Sequence, residues 1–248
     1  MIEQILLFLI ALVANLFSAF AGGGAGLVQL PALLFLGLPF PIALATHKVA
    51  SVALGLGATV RHLREKHLEA RFVVLLLVAG LPGVVLGASL ILNIPDRVAE
   101  IALGLLTLSL GLYSFLKKDL GLHAALRNQS GWGFLLGAVV LFAIGVLNGS
   151  LTSGTGLFVT LWLVRWFGMD YKQAVAYTLV LVGLFWNGSG ALTLGLLGEI
   201  RWDWIPPLIV GSLIGGYLGA HFAIAKGSVW IKRGYEVVTV AVGLALLL

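Results

Sequence analysis

The chain has 248 residues, 60% hydrophobic and 10% charged, with 15 Lys and Arg against 10 Asp and Glu. A soluble domain carries about 25% charged residues, so this composition excludes a water-soluble globular protein. No cysteine is present, which excludes a disulfide framework, a thiolate metal site and covalent haem attachment; the net charge of +5 reads as basic membrane loops rather than a nucleic-acid surface.

Ten apolar segments follow one another, at roughly 2–21, 24–38, 41–63, 70–92, 95–116, 132–148, 151–168, 171–197, 202–225 and 228–248. A hydrocarbon core needs about 20 apolar residues for one helical crossing. Only helices or closed barrels satisfy the backbone in lipid, and the alternation of a barrel strand is missing. The expected fold is therefore an all-α integral membrane protein of about ten transmembrane or half-membrane helices. The first segment lacks a basic flank and is followed by further spans, so it reads as a retained span rather than a cleaved signal. The second and seventh segments are short and carry polar residues. The stretch KKDLGLHAALRNQSG, 117–131, is the longest connection and reads as a linker between halves 1–116 and 132–248.

The halves resemble one another. GGAGL at 23–27 matches SGTGL at 153–157, ALATHK at 43–48 matches AVAYTL at 174–179, and GVVLGA at 83–88 matches GGYLGA at 215–220. Several matches in order at a nearly constant offset point to an internal duplication.

Charge then orients the spans. If each segment changes side, or if segments 1–2 and 6–7 return as hairpins, one face receives Arg61, Arg64, Lys66, Arg71, Lys117, Lys118, Arg127, Arg165, Lys172, Lys226, Lys232 and Arg233, and the other only Arg97 and Arg201. The positive-inside rule makes the first face cytoplasmic and both termini extracytoplasmic. Each half holds five segments, an odd number, so the expected architecture is two inverted five-helix repeats.

Transporters built from inverted repeats place substrate near the midplane, with half-helix N-termini directed at anions. Helix starts carry unsatisfied N–H groups and partial positive charge, and glycine admits an anion close to that backbone. Gly22, Gly23, Gly24 and Gly26 precede one short segment. Asn148, Ser150, Thr152, Ser153 and Thr155 precede the other. The competing reading is close helix packing through small residues. Thr46, His47 and Lys48 lie inside the third segment, with Tyr177 and Thr178 in matching positions of the second half. A lysine roughly 10 Å along a membrane helix is costly and suggests function, against the alternative of snorkelling. No acidic residue is expected at its depth, so a bound anion would serve as its partner. His47 reads equally as a proton carrier or a hydrogen-bonded structural histidine. Asn187, Asn15 and Gln29 read as cavity residues or as helix-packing contacts, and Glu236, one turn after Lys232, as half of a local ion pair.

Three stretches together resemble the TauE/SafE family of sulfite exporters, also called toluene sulfonate uptake permeases: GGGAGLVQLPALLFLGLPFPIALATHKVAS at 22–51, GLPGVVLGA at 80–88 and GLLTLSLGLY at 104–113. The resemblance covers nearly the whole chain as two repeats. His47 departs from the small polar residue or asparagine expected at its position. The resemblance implies a secondary transporter, often an exporter, of sulfite or an organosulfonate, in a prokaryotic plasma membrane. A passive anion channel and a transporter of another small organic anion are the alternatives. No nucleotide motif appears, so an ion or substrate gradient is the expected energy source; no cofactor is expected, no enzyme activity is expected because the sequence offers no His/Glu metal cluster or nucleophile–base pair, and no nucleic-acid binding is expected. The expected partners are the anion and the bilayer, and a homodimer is allowed.

Overall fold

The computed structural model describes residues 2–62, 68–91, 96–152 and 154–247. The described residues form helices, with one longer connection at 117–130: α1 (Ile2–Ala21), α2 (Gly26–Phe35), α3 (Phe40–His62), α4 (Ala70–Leu90), α5 (Asp96–Leu116), α6 (Gly131–Ser150) and α7 (Thr155–Phe167). A continuous rod follows, in which α8 (Tyr171–Tyr177) passes through a π-helical stretch (Thr178–Trp186) into α9 (Asn187–Leu197). α10 (Ile205–Lys226) and α11 (Ser228–Leu247) complete the chain. Six of these elements, the rod counted as one, are long and apolar enough to cross a membrane.

The second and seventh elements are shorter than their apolar segments. α2 has 10 residues and α7 has 13, about 15 and 20 Å at 1.5 Å per residue, against the ~30 Å of a hydrocarbon core. Both are half-helices preceded by turns. Gly22, Gly23 and Gly24 hold φ of 86°, 140° and 99°, and Thr152 and Gly154 hold 60° and 72°. These left-handed values suit glycine and rarely other residues.

Glycine also sets the packing of the long helices. A Cβ built on Gly211, Gly215 or Gly219 of α10 would lie 2.5, 2.5 or 2.3 Å from the carbonyl oxygens of Phe8, Leu12 or Leu16 in α1. A Cβ on Gly83 or Gly87 of α4 would lie 2.3 or 2.0 Å from those of Phe142 or Val146 in α6. Small residues at such spacing bring backbones together where lipid supplies no hydrophobic drive. The two interfaces correspond position by position: Gly83 and Gly87 to Gly215 and Gly219, Phe142 and Val146 to Leu12 and Leu16. In each, the fourth helix of one half packs against the first helix of the other.

These contacts also give the chain directions. Residue numbers rise together in α1 and α10, and in α4 and α6. They run oppositely in α3 and the rod, where Gly55 meets Gly183 and Lys48 meets Gly190, and in α5 and α11, where Gly111 meets Thr239 and Gly243 meets Leu108.

Two readings of polar residues meet clear geometry. Asn15 Nδ2 lies 2.7 Å from Ala11 O, 3.1 Å from Gln29 Oε1 and 2.9 Å from Ser212 Oγ, so Asn15 and Gln29 join α1, α2 and α10 and lie outside the cavity described below. Lys232 and Glu236 form an ion pair within α11, and Lys232 Nζ also donates to Ser114 O at 2.7 Å.

Candidate functional site

The two half-helices start beside one another. A Cβ on Gly23 would sit 2.5 Å from Gly156 C and 2.6 Å from Leu157 N, so the two breaks touch through bare backbone. Thr160 of α7 ties them further. Its Oγ1 donates to Gly22 O at 2.7 Å and lies 2.9 Å from Thr178 Oγ1 on the rod.

A small cavity of about 40 Å³ opens at this junction. One water needs roughly 10–15 Å³ of such volume, so the space suits about three waters or one small ion. The first half contributes Ser18, Gly23, Gly24, Ala25, Gly26, His47, Ser51 and Leu54. The second contributes Asn148, Thr152, Thr155, Gly156, Thr178, Leu179, Val182, Gly183 and Asn187. Several of these stand in corresponding positions, offset by 130 or 131: Ser18 and Asn148, Ala25 and Thr155, Gly26 and Gly156, His47 and Thr178, Ser51 and Val182. The α3 residues lie around the middle of that helix. Four of the lining residues belong to the π-helical stretch; such widened turns frequently accompany functional sites.

The lining mixes polar and apolar side chains and carries no acidic or basic residue other than His47. Hydroxyls come from Ser18, Ser51, Thr152, Thr155 and Thr178, amides from Asn148 and Asn187, an imidazole from His47, and apolar surface from Leu54, Leu179 and Val182. His47 Nε2 shares a 3.1 Å hydrogen bond with Ser51 Oγ, while its buried Nδ1 has no hydrogen-bond partner among the described residues. The second break is internally cross-braced. Asn148 Nδ2 donates to Thr155 Oγ1 at 2.8 Å, Thr155 Oγ1 donates to Thr152 O at 2.9 Å, and Thr152 Oγ1 donates to Asn148 O at 3.1 Å. These bonds hold Thr152 in its left-handed conformation and present the start of α7 to the cavity.

Lys48 stands behind this wall. It is fully buried, and its Nζ donates to Asn148 O at 2.8 Å and Asn148 Oδ1 at 3.2 Å. The expected direct counter-charge is therefore one residue removed from the cavity. Its cation rests on the carbonyl end of α6, where the helix dipole favours positive charge, and among the described residues it forms no ion pair.

Other expected residues fall outside the lining for identifiable reasons. Thr46 Oγ1 accepts the Arg201 backbone N–H at 3.0 Å, on another face of α3. Ser150 Oγ bonds back to Val146 O at 2.9 Å within its own helix. The Tyr177 hydroxyl accepts the Glu69 N–H at the start of α4. Gly22 turns its carbonyl to Thr160. Ser153 lies outside the described residues. Ser18, Ser51 and Thr160 were missed by the sequence reading; the offset from Asn148 already pointed to Ser18, and Ser51 lies one helical turn from His47.

Thr160→Val keeps the shape of the side chain and deletes the hydroxyl that joins Gly22 to Thr178. The buried Gly22 carbonyl then loses this partner, at a cost of about 1–3 kcal/mol. A thermal melt in detergent should show a lower midpoint than wild type; an unchanged midpoint would show that this hydroxyl does not brace the junction.

A bundle of apolar helices, two of them broken around a buried polar cavity, defines the chain as a polytopic α-helical membrane protein. The family model described as "Sulfite exporter TauE/SafE" matches residues 7–246, and the chain belongs to this family. It is 32% identical over 228 residues to a "Probable membrane transporter protein" of Haemophilus influenzae, covering 92% of this chain and 88% of that protein. It is 30% identical over 242 residues to "Probable membrane transporter protein ORF9" of Sinorhizobium sp, covering 97% and 91%. It is 28% identical over 241 residues to "Probable membrane transporter protein YfcA" of Escherichia coli K12, covering 97% and 88%. No solved structure matches the chain.

Proposed function

We propose that the chain is a secondary transporter of a small sulfur oxyanion, sulfite or a compact organosulfonate, and that the cavity between the two helix breaks is its binding site. One observation carries the reading: the starts of α2 and α7 converge on one small cavity lined by hydroxyls, amides and an imidazole among apolar side chains, with no carboxylate. Two helix N-termini aimed at one point favour an anion, and the buried Lys48 cation behind Asn148 adds to the positive potential. The cavity's size suits an ion as small as sulfite in this conformation. Ser18 and Asn187 would donate hydrogens, the hydroxyls of Ser51, Thr155 and Thr178 would do so only by leaving the bonds they make here, and His47 Nδ1 would gain a partner.

The corresponding interfaces and the opposed directions of α3 and the rod support reading 1–116 and 132–248 as inverted repeats joined by 117–131. Alternating access then follows by rocking one set of helices against the other around the glycine contact at Gly23 and Gly156. The family name supports export, and the bacterial origin of the membrane-transporter relatives supports the plasma membrane of a prokaryote.

Purified protein in proteoliposomes loaded with sulfite should take up labelled sulfite in a saturable manner accelerated by the internal pool. Flux that does not saturate and ignores the internal pool would favour an open anion pore instead. The orientation has its own test. Single cysteines introduced at Ala124 and Leu247 should differ in intact cells, with an impermeant thiol reagent labelling position 247 and not 124. The reverse pattern would overturn an extracytoplasmic C-terminus.

A further inference from the structure

Helix α5 stands at the edge of the bundle with an apolar cleft on each of two faces. The larger, about 990 Å³, lies against α11 and is lined by Leu105, Leu108, Leu112, Phe115, Val237 and Val240, with Ser109 and Ala241 also in its lining and Arg233 and Glu236 at one end. The smaller, about 370 Å³, lies between α5 and α6–α7 and is lined by apolar side chains such as Val140, Leu147 and Phe158, with Arg165 and Tyr113 at one end.

The clefts share a construction. Each is a concave apolar trough closed at one end by an arginine whose guanidinium lies against an aromatic ring: Arg233 over Trp230 at 5.1 Å and Arg165 over Tyr113 at 5.9 Å. Among the described residues neither arginine forms an ion pair, whereas Glu236 is engaged by Lys232. More basic charge lies near the larger cleft: Lys226 also contacts Trp230, at 5.6 Å, and Lys117 and Lys118 are exposed just past the adjacent end of α5.

Depth identifies the occupant. From Arg233 to Ala241 the larger cleft follows eight residues of α11, about 12 Å; from Arg165 to Phe158 the smaller follows seven residues of α7, about 10 Å. Both fit within one leaflet, about 15 Å or half of a hydrocarbon core. A second copy of the chain packed on α5 and α11 would be expected to engage the full length of these helices, about 30 Å. Two separate troughs, each one leaflet deep and each headed by an unpaired arginine, match acyl chains beneath an anionic headgroup.

We propose that both clefts bind anionic phospholipid, with the phosphate on Arg233 in one and on Arg165 in the other and the acyl chains along α5. The proposal is independent of what the central cavity carries.

The test uses the whole purified protein. Lipid retention is counted by native mass spectrometry after titration with phosphatidylglycerol or, separately, phosphatidylcholine; the same experiment is run on Arg233→Gln and Arg165→Gln, with folding verified by gel filtration. Phosphatidylglycerol should bind at two copies per chain in preference to phosphatidylcholine, and each substitution should remove one copy or weaken it about fivefold, the contribution of a single basic residue at a membrane surface. Equal binding of the two lipids, unchanged binding in both variants, or displacement of both phosphatidylglycerol copies by inorganic phosphate at equal concentration would overturn the proposal. So would efficient disulfide cross-linking of Leu112→Cys between two chains in phosphatidylglycerol membranes, which would assign the larger cleft to a second copy.

Discussion

Gly23→Ala should abolish anion transport while leaving a folded protein that elutes as a single species. The added Cβ would fall 2.5 Å from Gly156 C, 2.6 Å from Leu157 N and 2.7 Å from Gly156 Cα, all of them backbone atoms. No flexible side chain can give way, so the start of α7 must shift, and the cavity between the two breaks changes shape with it. The residue also holds φ of 140°, a conformation that costs a non-glycine residue on the order of 1–3 kcal/mol. Gly37→Ala separates strain from crowding. Gly37 holds φ of 96°, but a Cβ there would meet nothing within 4 Å. It should lower thermal stability slightly and transport at close to the wild-type rate. Gly23→Ala transporting as well as Gly37→Ala would dissociate the glycine contact from the site.

Lys48→Met should weaken anion binding by about 100-fold without a large loss of stability. Lys48 bonds Asn148, and Asn148 lines the cavity, so the cation stands roughly 6 Å from a bound anion, where a unit charge contributes about 2–3 kcal/mol at an effective dielectric constant near 20. The stability effects oppose one another. Asn148 Oδ1 loses its lysine partner, at a cost of about 1–3 kcal/mol, but a buried cation without a carboxylate is itself expensive and its removal offsets that loss. Asn148 O retains the Thr152 hydroxyl at 3.1 Å. Stabilisation by sulfite follows RT ln(1 + [L]/Kd), so a melt series against sulfite concentration reads the affinity directly. Undiminished sulfite stabilisation in the methionine variant would confine Lys48 to a purely structural role. Arginine should not rescue, because its planar fork cannot present one ammonium to both Asn148 oxygens in the same space.

The long helices were legible because lipid leaves the chain few options. The expected 2–21 and 171–197 coincide with α1 and the rod, and 70–92 ends two residues beyond α4. The half-helices came out shorter than their apolar runs. Composition sees Leu36 and Leu38 as membrane residues, whereas Gly37 at positive φ and Pro39 stop α2 at Phe35. Likewise, the left-handed Thr152 and Gly154 delay α7 to Thr155.

Within the site, glycines and hydroxyls before a short apolar segment were readable because helix starts need them. The direction taken by each side chain of ALATHK was not. His47 turns into the cavity, Thr46 to the Arg201 backbone and Lys48 to Asn148, a partner 100 residues away. Consecutive helical residues diverge by about 100°, and only the surrounding helices decide which one faces the cavity. The π-helical stretch was equally hidden. An apolar run carries no polar period from which a widened turn could be detected, yet it supplies Thr178, Leu179, Val182 and Gly183 to one wall.

The central claim is that a small oxyanion sits between the two helix breaks. Selenite has the shape and charge of sulfite and an anomalously scattering atom in place of sulfur. Crystals of the purified protein soaked in selenite should show one anomalous peak in the cavity bounded by Gly24, His47, Asn148 and Thr155, and that peak should vanish when sulfite competes. An ordered peak elsewhere in the bundle, with this cavity empty at a concentration that supports transport, would contradict the account.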